Sequence, residues 1–393
     1  MLSLKDLDFK GKRVFLRVDF NVPQDEAGNI RDDTRIKASL STINHLLEQK
    51  AKLVVASHLG RPKGKPEPKY SLKPVAKRLS ELISRDVILA PAVVGDEVLK
   101  LKRELKEGQL LLLENLRFDA GEEKNDPSFA QGLAQEIDYY VDDAFGACHR
   151  AHASVVGITH YVKKSAAGLL LQKEVDYLSK AVHSPQKPYV AILGGVKVSD
   201  KIPVIENLLN KADSVLIGGA MAYTFFKAQG LDVGHSLVEE ELIELALKLL
   251  SQAKEKKVNF YLPSDHVAAA EKDSKAESKI IESFPIPANL MALDIGPKTV
   301  DIYSGIIARA KTIFWNGPLG VFEIDKFAAG TMKIAEAVAK SSAISIVGGG
   351  DSVAAVYKAG VSEKISHIST GGGASLEFIA NETLPGVEAL SEK

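Results

Sequence analysis

Two kinds of residue in this sequence could do chemistry, and they fall in different halves of it. In the later half, apolar runs stop at glycines: Gly194 and Gly195, Gly218 and Gly219, Gly348 to Gly350, and Gly371 to Gly373. A glycine after a buried strand permits positive φ and close approach of the backbone, and the helix that follows presents unpaired N–H groups and a positive dipole end. Together these make a phosphate site. For one pair alone a tight turn is the ordinary explanation, but four instances on one set of strands favour a ligand. Lys197 and Lys201, spaced by four, would share one helix face beside the first pair, as a solvated surface or as phosphate contacts. Asp351, in "GGGDS", opens a helix either as an N-cap or as a ligand, direct or through water, of a magnesium ion already bound to nucleotide phosphates.

The earlier half ends its apolar runs differently. Asp19 and Asn21, His58 and Arg61, Arg117, and Arg150 stand at or just beyond run ends, and Arg35 in "DDTRIK" is assigned to the same edge. Each arginine alone is ordinarily a surface charge, whereas several on one sheet edge would grip phosphate or carboxylate with their guanidinium forks. His149 and His152 lack a third ligand at metal spacing and are expected to be hydrogen-bonding or structural, and Cys148 a small core residue.

The elements that must carry these residues follow from periodicity. Short β-branched runs such as "RVFLRVDFNV", "AKLVVASHLGRP", "YVAILGG" and "TIFWNGPLG" alternate with longer helical stretches, the pattern of βα units around a parallel sheet. Ligands of such sheets lie outside the carboxyl ends of the strands, where both residue sets fall. The contrast between the halves predicts an α/β protein of two doubly wound domains, each a parallel β-sheet flanked by helices, with different ligands. The break is placed near "AAGLLLQKEVDYLSKAVHSPQKP", an amphipathic helix followed by prolines.

Composition narrows the function. The chain has 393 residues, enough for two or three domains, and a formal net charge of -1, so nothing global points to nucleic acid or a membrane surface. One cysteine rules out an internal disulfide, and the N-terminal stretch has no uninterrupted apolar run, so a soluble cytoplasmic protein is expected. No G-x-x-x-x-G-K-[ST], no G-x-G-x-x-G after a strand and no protein-kinase signature occurs. A basic anion site beside a glycine-lined nucleotide site points to phosphoryl transfer, which needs positioning and charge neutralisation more than a covalent nucleophile. A two-lobed anion-binding protein without turnover would explain the arginines but not Lys197, Glu323 and Asp351.

The motifs "RVDFNVP", "SHLGRP", "ENLRF", "DDAFG-CHRAH", "LGG-KVSDKI", "WNGPLGVFE", "GGGDS" and "STGGGASLE" recur in order, and over its whole length the chain resembles phosphoglycerate kinases. The resemblance implies reversible transfer of the acyl phosphate of 1,3-bisphosphoglycerate to Mg-ADP, giving 3-phosphoglycerate and ATP, in a monomer whose domains close by hinge bending. It implies that Asp19, Asn21, Arg35, His58, Arg61, Arg117 and Arg150 hold the glycerate substrate. Gly194, Gly195, Lys201, Gly218, Gly219, Ala292, Glu323, Gly349, Gly350, Asp351 and Ser352 would hold the nucleotide, with Asp351 as the protein's contact to Mg2+. Arg35 and Lys197 would neutralise the phosphoryl group in flight, with backbone donors from Gly371, Gly372 and Gly373. The expected division is 1–167 with a returning tail 384–393, an interdomain helix 168–183, and 184–383. Val196, Ser352 and Ala292 stand where the family more often has Ala, Thr and Gly.

Overall fold

The computed structural model describes residues 1–391, so the last two residues of the expected returning tail lie outside the described residues. The chain forms two compact units: Met1–Asp176 with the segment from Thr383 onward, and Tyr177–Glu382. The division falls inside the helix Leu169–Val182.

The first unit is built on seven strands: β1 (Leu2–Ser3), β2 (Arg13–Arg17), β3 (Lys52–Ala56), β4 (Val87–Leu89), β5 (Leu110–Leu112), β6 (Tyr139–Asp142) and β7 (Lys164–Ala167). They run parallel in the order β1-β7-β6-β2-β3-β5-β4. Side chains alternate across the sheet. Val14, Leu16, Leu53 and Val55 pack with Ile36, Ile43, Val75 and Leu79 of the helices on one face. On the other, Phe15 meets Tyr140 with ring centroids 6.0 Å apart. Both faces are buried, which is why these strands read as continuous apolar runs. The direction in which successive strands are added reverses beside β2, so the crevice at its carboxyl end is the natural ligand position.

The helix Pro385–Ser391 belongs to this unit. The Gly386 amide donates to the Cys148 carbonyl at 2.9 Å, and a Cβ on Gly386 would lie 2.7 Å from a Val155 methyl. Asp143 caps the helix Leu169–Val182, with Oδ1 accepting the amides of Leu170 (2.8 Å) and Leu171 (3.2 Å). Burial pushes the Asp143 carboxyl up to about 8, outweighing the Thr42 hydroxyl and these two amides. The folded value lies above the ordinary carboxyl value of about 4, so the folded state favours the protonated form. Its stabilising contribution is present at low pH and lost as pH rises through about 8. Thermal melts between pH 6 and 9 are expected to show a falling Tm that Asp143→Asn, which keeps one acceptor for the cap, flattens; an unchanged pH slope in the variant refutes this.

The second unit carries β8 (Tyr189–Leu193), β9 (Ser214–Ile217), β10 (Asn259–Tyr261), β11 (His266–Ala269), β12 (Ser278–Ile281), β13 (Met291–Ile295), β14 (Thr312–Asn316), β15 (Ile344–Gly348) and β16 (His367–Ile368). Six of these form a parallel sheet in the order β10-β9-β8-β14-β15-β16. Counted within the unit this is 3-2-1-4-5-6, the doubly wound order of dinucleotide folds, here without their glycine fingerprint. Trp315 is fully buried at its centre among Ile192, Ile313, Tyr303 and Ile334.

The antiparallel sheet β12-β11-β13 is an addition to the parallel pattern the sequence predicts. Three of the four residues of β12 are exposed, and an antiparallel arrangement tolerates one open face. With so little of it buried, β12 leaves no apolar run to detect.

Candidate active site

In the second unit two loops meet backbone to backbone at the switch point between β8 and β14. A Cβ on Gly194 would lie 2.1 Å from the Pro318 carbonyl oxygen, and one on Gly317, at φ +96°, would lie 2.2 Å from that of Gly194. The Asn316 side chain donates to the Gly348 carbonyl at 2.8 Å, and the Gly317 amide donates to the Ser352 hydroxyl at 2.5 Å. The ends of β8, β14 and β15 are thereby locked together. Gly317→Ala would combine a left-handed conformation with a backbone clash, so a loss of about 2 kcal/mol or more in a urea melt is expected. A variant with normal stability would refute this reading of the contact.

Around this junction lie two cavities that share Gly195, Val196, Pro318 and Asp351. One, of about 330 Å³, has walls of Gly219, Tyr223, Leu237, Met291, Ala292, Leu293 and Val321, with Lys272, Asp294 and Glu323 as its other polar side chains. Its shape and apolar walls suit a nucleoside. The other, of about 540 Å³, is lined by Gly194, Lys197, Lys201, Gly349, Gly350, Ser352, Gly372 and Gly373. It offers cations and helix starts to phosphates.

The helix Gly350–Lys358 starts after Gly349, at φ +90°, and no side chain caps it, so the N-cap reading of Asp351 does not hold. Its carboxylate is exposed in both cavities. The Ser352 hydroxyl is taken by Gly317, leaving its backbone amide for a ligand. Gly371 donates its amide to Ser369 and does not line the cavity, whereas Gly372 and Gly373 do. Gly218 packs on Leu319 and only Gly219 faces the nucleoside cavity. Lys197 and Lys201 are not on one helix face as their spacing predicts: Lys197 lies in irregular chain before the short 3-10 turn Ser199–Lys201. They reach the same cavity because the glycine turn delays the helix. Burial lowers the Lys201 pKa, opposed by Asp200 and Asp351.

Asp294 was not singled out by the sequence. Its carboxylate accepts the amides of Gly330 (2.7 Å) and Ile295 (2.9 Å), and a Cβ on Gly320 would lie 2.1 Å from it. Burial pushes this carboxyl up to about 7. It ties the start of the helix Ala329–Lys340 to β13, while the Val321 amide, donating to the Leu293 carbonyl at 2.8 Å, fastens the Pro318–Glu323 wall of the cavity to the same strand.

In the first unit, Arg35 donates to Asp19 at 2.8 Å. Arg35 sits in the helix Thr34–Ala38 and not at a strand end, the position its sequence context suggested. Burial alone would raise the Asp19 carboxyl, but its positive neighbours and the Asn21 amide hold it low. Burial drives His58 well below the ordinary histidine value, with Asp19 opposing and Arg17, Arg117 and Arg35 reinforcing. A neutral His58 makes its 3.9 Å approach to Asp19 no ion pair, and the cations that count for Asp19 are Arg35 and Arg17. Arg17 can only donate, so its 3.3 Å contact with His58 Nδ1 places the ring proton on Nε2.

Asn21 accepts from the Gly60 amide at 2.9 Å while Arg117 donates to the Gly60 carbonyl at 2.9 Å, which fixes the loop carrying His58 and Arg61. Asn115 pins the same loop through Leu59 and Tyr70. Arg61 and Arg150 are exposed, and Arg150 donates to His149 at 3.0 Å. Arg17 is a buried cation beside His58 that sequence reasoning passed over. Its one signal is a charge at the end of a buried strand, held by Ser154, whose hydroxyl donates to Glu122 at 2.6 Å.

With this geometry in place, comparison with known proteins is decisive: the phosphoglycerate kinase family model matches residues 4–382. The chain belongs to the phosphoglycerate kinase family. It is 59% identical over 400 residues to a phosphoglycerate kinase of Koribacter versatilis, covering 100% of this chain and 99% of that one. To that of Anaeromyxobacter dehalogenans it is 59% identical over 392 residues, 99% of each. The structure of phosphoglycerate kinase from Coxiella burnetii superposes with a TM-score of 0.92 at 43% identity, covering 100% of this chain and 99% of that one. That of Pyrococcus horikoshii gives 0.86 at 37% identity, covering 100% and 98%. Membership in the phosphoglycerate kinase family makes the chain a kinase with an α/β, two-domain fold. Among the described residues no helix is long and apolar enough to cross a membrane.

Proposed function

We propose that the chain transfers the acyl phosphate of 1,3-bisphosphoglycerate to Mg-ADP and runs the reverse reaction from 3-phosphoglycerate and Mg-ATP, as a glycolytic, cytoplasmic monomer. The observation that carries this reading is the pair of adjoining cavities, one apolar and nucleoside-sized, the other lined by Lys197, Lys201 and glycine turns. The second unit, 184–383 in the sequence division, binds nucleotide and the first, 1–167 with the tail, binds glycerate.

In the reverse direction a carboxylate oxygen of 3-phosphoglycerate forms a bond to the γ-phosphorus as the bond from that phosphorus to the bridging oxygen breaks, and ADP leaves with the electron pair. No residue is phosphorylated. His58, neutral, presents its Nε2 proton to the glycerate, beside Asn21 and Asp19. Arg61, Arg117 and Arg150 hold the phosphate of the glycerate, a role suited to guanidinium forks. Arg35 keeps donors beyond the one given to Asp19, and with Lys197 it neutralises the moving phosphoryl group. Gly372 and Gly373 offer amides at a helix start. The units close during turnover, which excludes water and aligns the reactants.

The donor set fits magnesium that arrives with its nucleotide. Asp351 is an exposed, uncapping carboxylate beside the lysines, and among the described residues no cluster of three or more acidic, histidine or cysteine side chains could cage a metal alone. Asp351 would hold the ion, which draws charge off the phosphates when bound.

The test couples 3-phosphoglycerate and Mg-ATP to glyceraldehyde-3-phosphate dehydrogenase and follows NADH. Loss of NADH that requires magnesium, ATP and 3-phosphoglycerate together is expected. Binding of both ligands without turnover would favour an anion-binding protein instead.

A further inference from the structure

Lys197 lies on a stretch with little to hold it. Strand β8 ends at Leu193, Gly195 sits at φ +103°, and the first regular turn begins at Ser199. From Val196 to Asp200 only Val198 is buried. A cation on so free a segment is poorly aimed, and positioning is where phosphoryl transfer gains most of its rate.

One carboxylate from a distant loop supplies what the stretch lacks. Glu239 Oε2 accepts the backbone amides of Val198 and Ser199, the latter at 3.2 Å, and Oε1 accepts the Ser199 hydroxyl at 2.6 Å. Both oxygens are committed to the two residues just after Lys197, so the negative charge orients the turn without forming an ion pair with the lysine. The backbone of Glu239 is itself anchored: its amide donates to the Thr224 hydroxyl at 3.1 Å. Thr224 stands on the helix Met221–Ala228 beside Tyr223, which lines the nucleoside cavity. Leu237, two residues before Glu239, lines the same cavity and is 61% exposed.

We propose that Glu239 is a positioning residue for Lys197, and that it links occupancy of the nucleoside cavity to the placement of that cation. A nucleoside seated against Leu237 and Tyr223 orders the 237–239 segment, and the Glu239 carboxylate passes that order to the 198–199 turn. The inference rests on the reading of Lys197 as the cation that neutralises the transferring phosphoryl group.

The test is a double-mutant cycle of Glu239→Gln and Lys197→Ala, assayed with saturating Mg-ATP and 3-phosphoglycerate. Glutamine keeps the shape and one acceptor oxygen but loses the second acceptor and the charge. Expected for Glu239→Gln alone is a drop in kcat of about tenfold, with KM for 3-phosphoglycerate and Tm little changed. In the Lys197→Ala background the same substitution is expected to change kcat by less than about twofold. An equal drop in both backgrounds, or none in either, overturns the positioning role. Wild-type kcat in Lys197→Ala shows instead that the reading of Lys197 is at fault. Should Glu239→Gln fail to fold, Thr224→Val in the same cycle cuts the link from its other side, with the same two outcomes deciding.

Discussion

Alanine at position 35 is expected to lower kcat by about 10³-fold, the scale on which arginines that meet a transferring phosphate act. Arg35 has one short contact, to Asp19, and its side chain is 38% exposed, so it contributes little to folding and has donors to spare. Affinity for 3-phosphoglycerate should fall far less, because in the proposed assignment His58, Arg61, Arg117 and Arg150 remain to hold it. Lysine at the same position should restore only part of the rate, since a point charge lacks the guanidinium fork. The coupled assay gives kcat and calorimetry gives affinity. A variant that binds poorly but turns over normally at saturation would remove Arg35 from the transfer step.

The second large effect concerns Lys197. Its removal is expected to reduce kcat by about 10² to 10³ with a modest change in KM for Mg-ATP, the pattern of a donor used only in the transition state. Lys201→Ala should behave in the opposite sense, with a raised KM for Mg-ATP and a smaller loss of kcat. The contrast follows from placement: Lys201 is half-buried and faces Asp200 and Asp351, whereas Lys197 is exposed and has no partner among the described residues. Equal effects of the two substitutions on both parameters would mean that the lysines form one undivided phosphate contact.

What the sequence made legible, it made legible through necessity. Gly194, Gly219 and Gly349 stand where a Cβ would meet neighbouring atoms closely, so a strand followed by glycines was a reliable sign of a crowded backbone junction. Charged residues beyond strand ends were visible because buried runs carry few of them. The apolar cavity was invisible for a related reason: Tyr223, Leu237, Met291 and Leu293 read as ordinary core residues, and only the fold gathers them. Arg17 was hidden because its partners, Ser154 and His58, are distant in sequence. The choice between cap and ligand for Asp351 depended on a side-chain direction that no spacing encodes, and the delayed helix at Ser199 defeated the spacing rule for the two lysines.

The crowded junction also bears on how this chain can change over generations. Any single-base change in a glycine codon that substitutes another amino acid adds a Cβ, and at 194, 219 and 317 that atom would lie 2.1, 2.5 and 2.2 Å from backbone oxygens. One-step mutational neighbours at these three positions are therefore closed. Variation in nucleotide handling has to enter by the rim of the cavity, at Val196, Leu237 and Lys272, where exposed side chains can be exchanged without moving the backbone. Libraries meant to retune nucleotide use should diversify that rim and leave the glycines untouched.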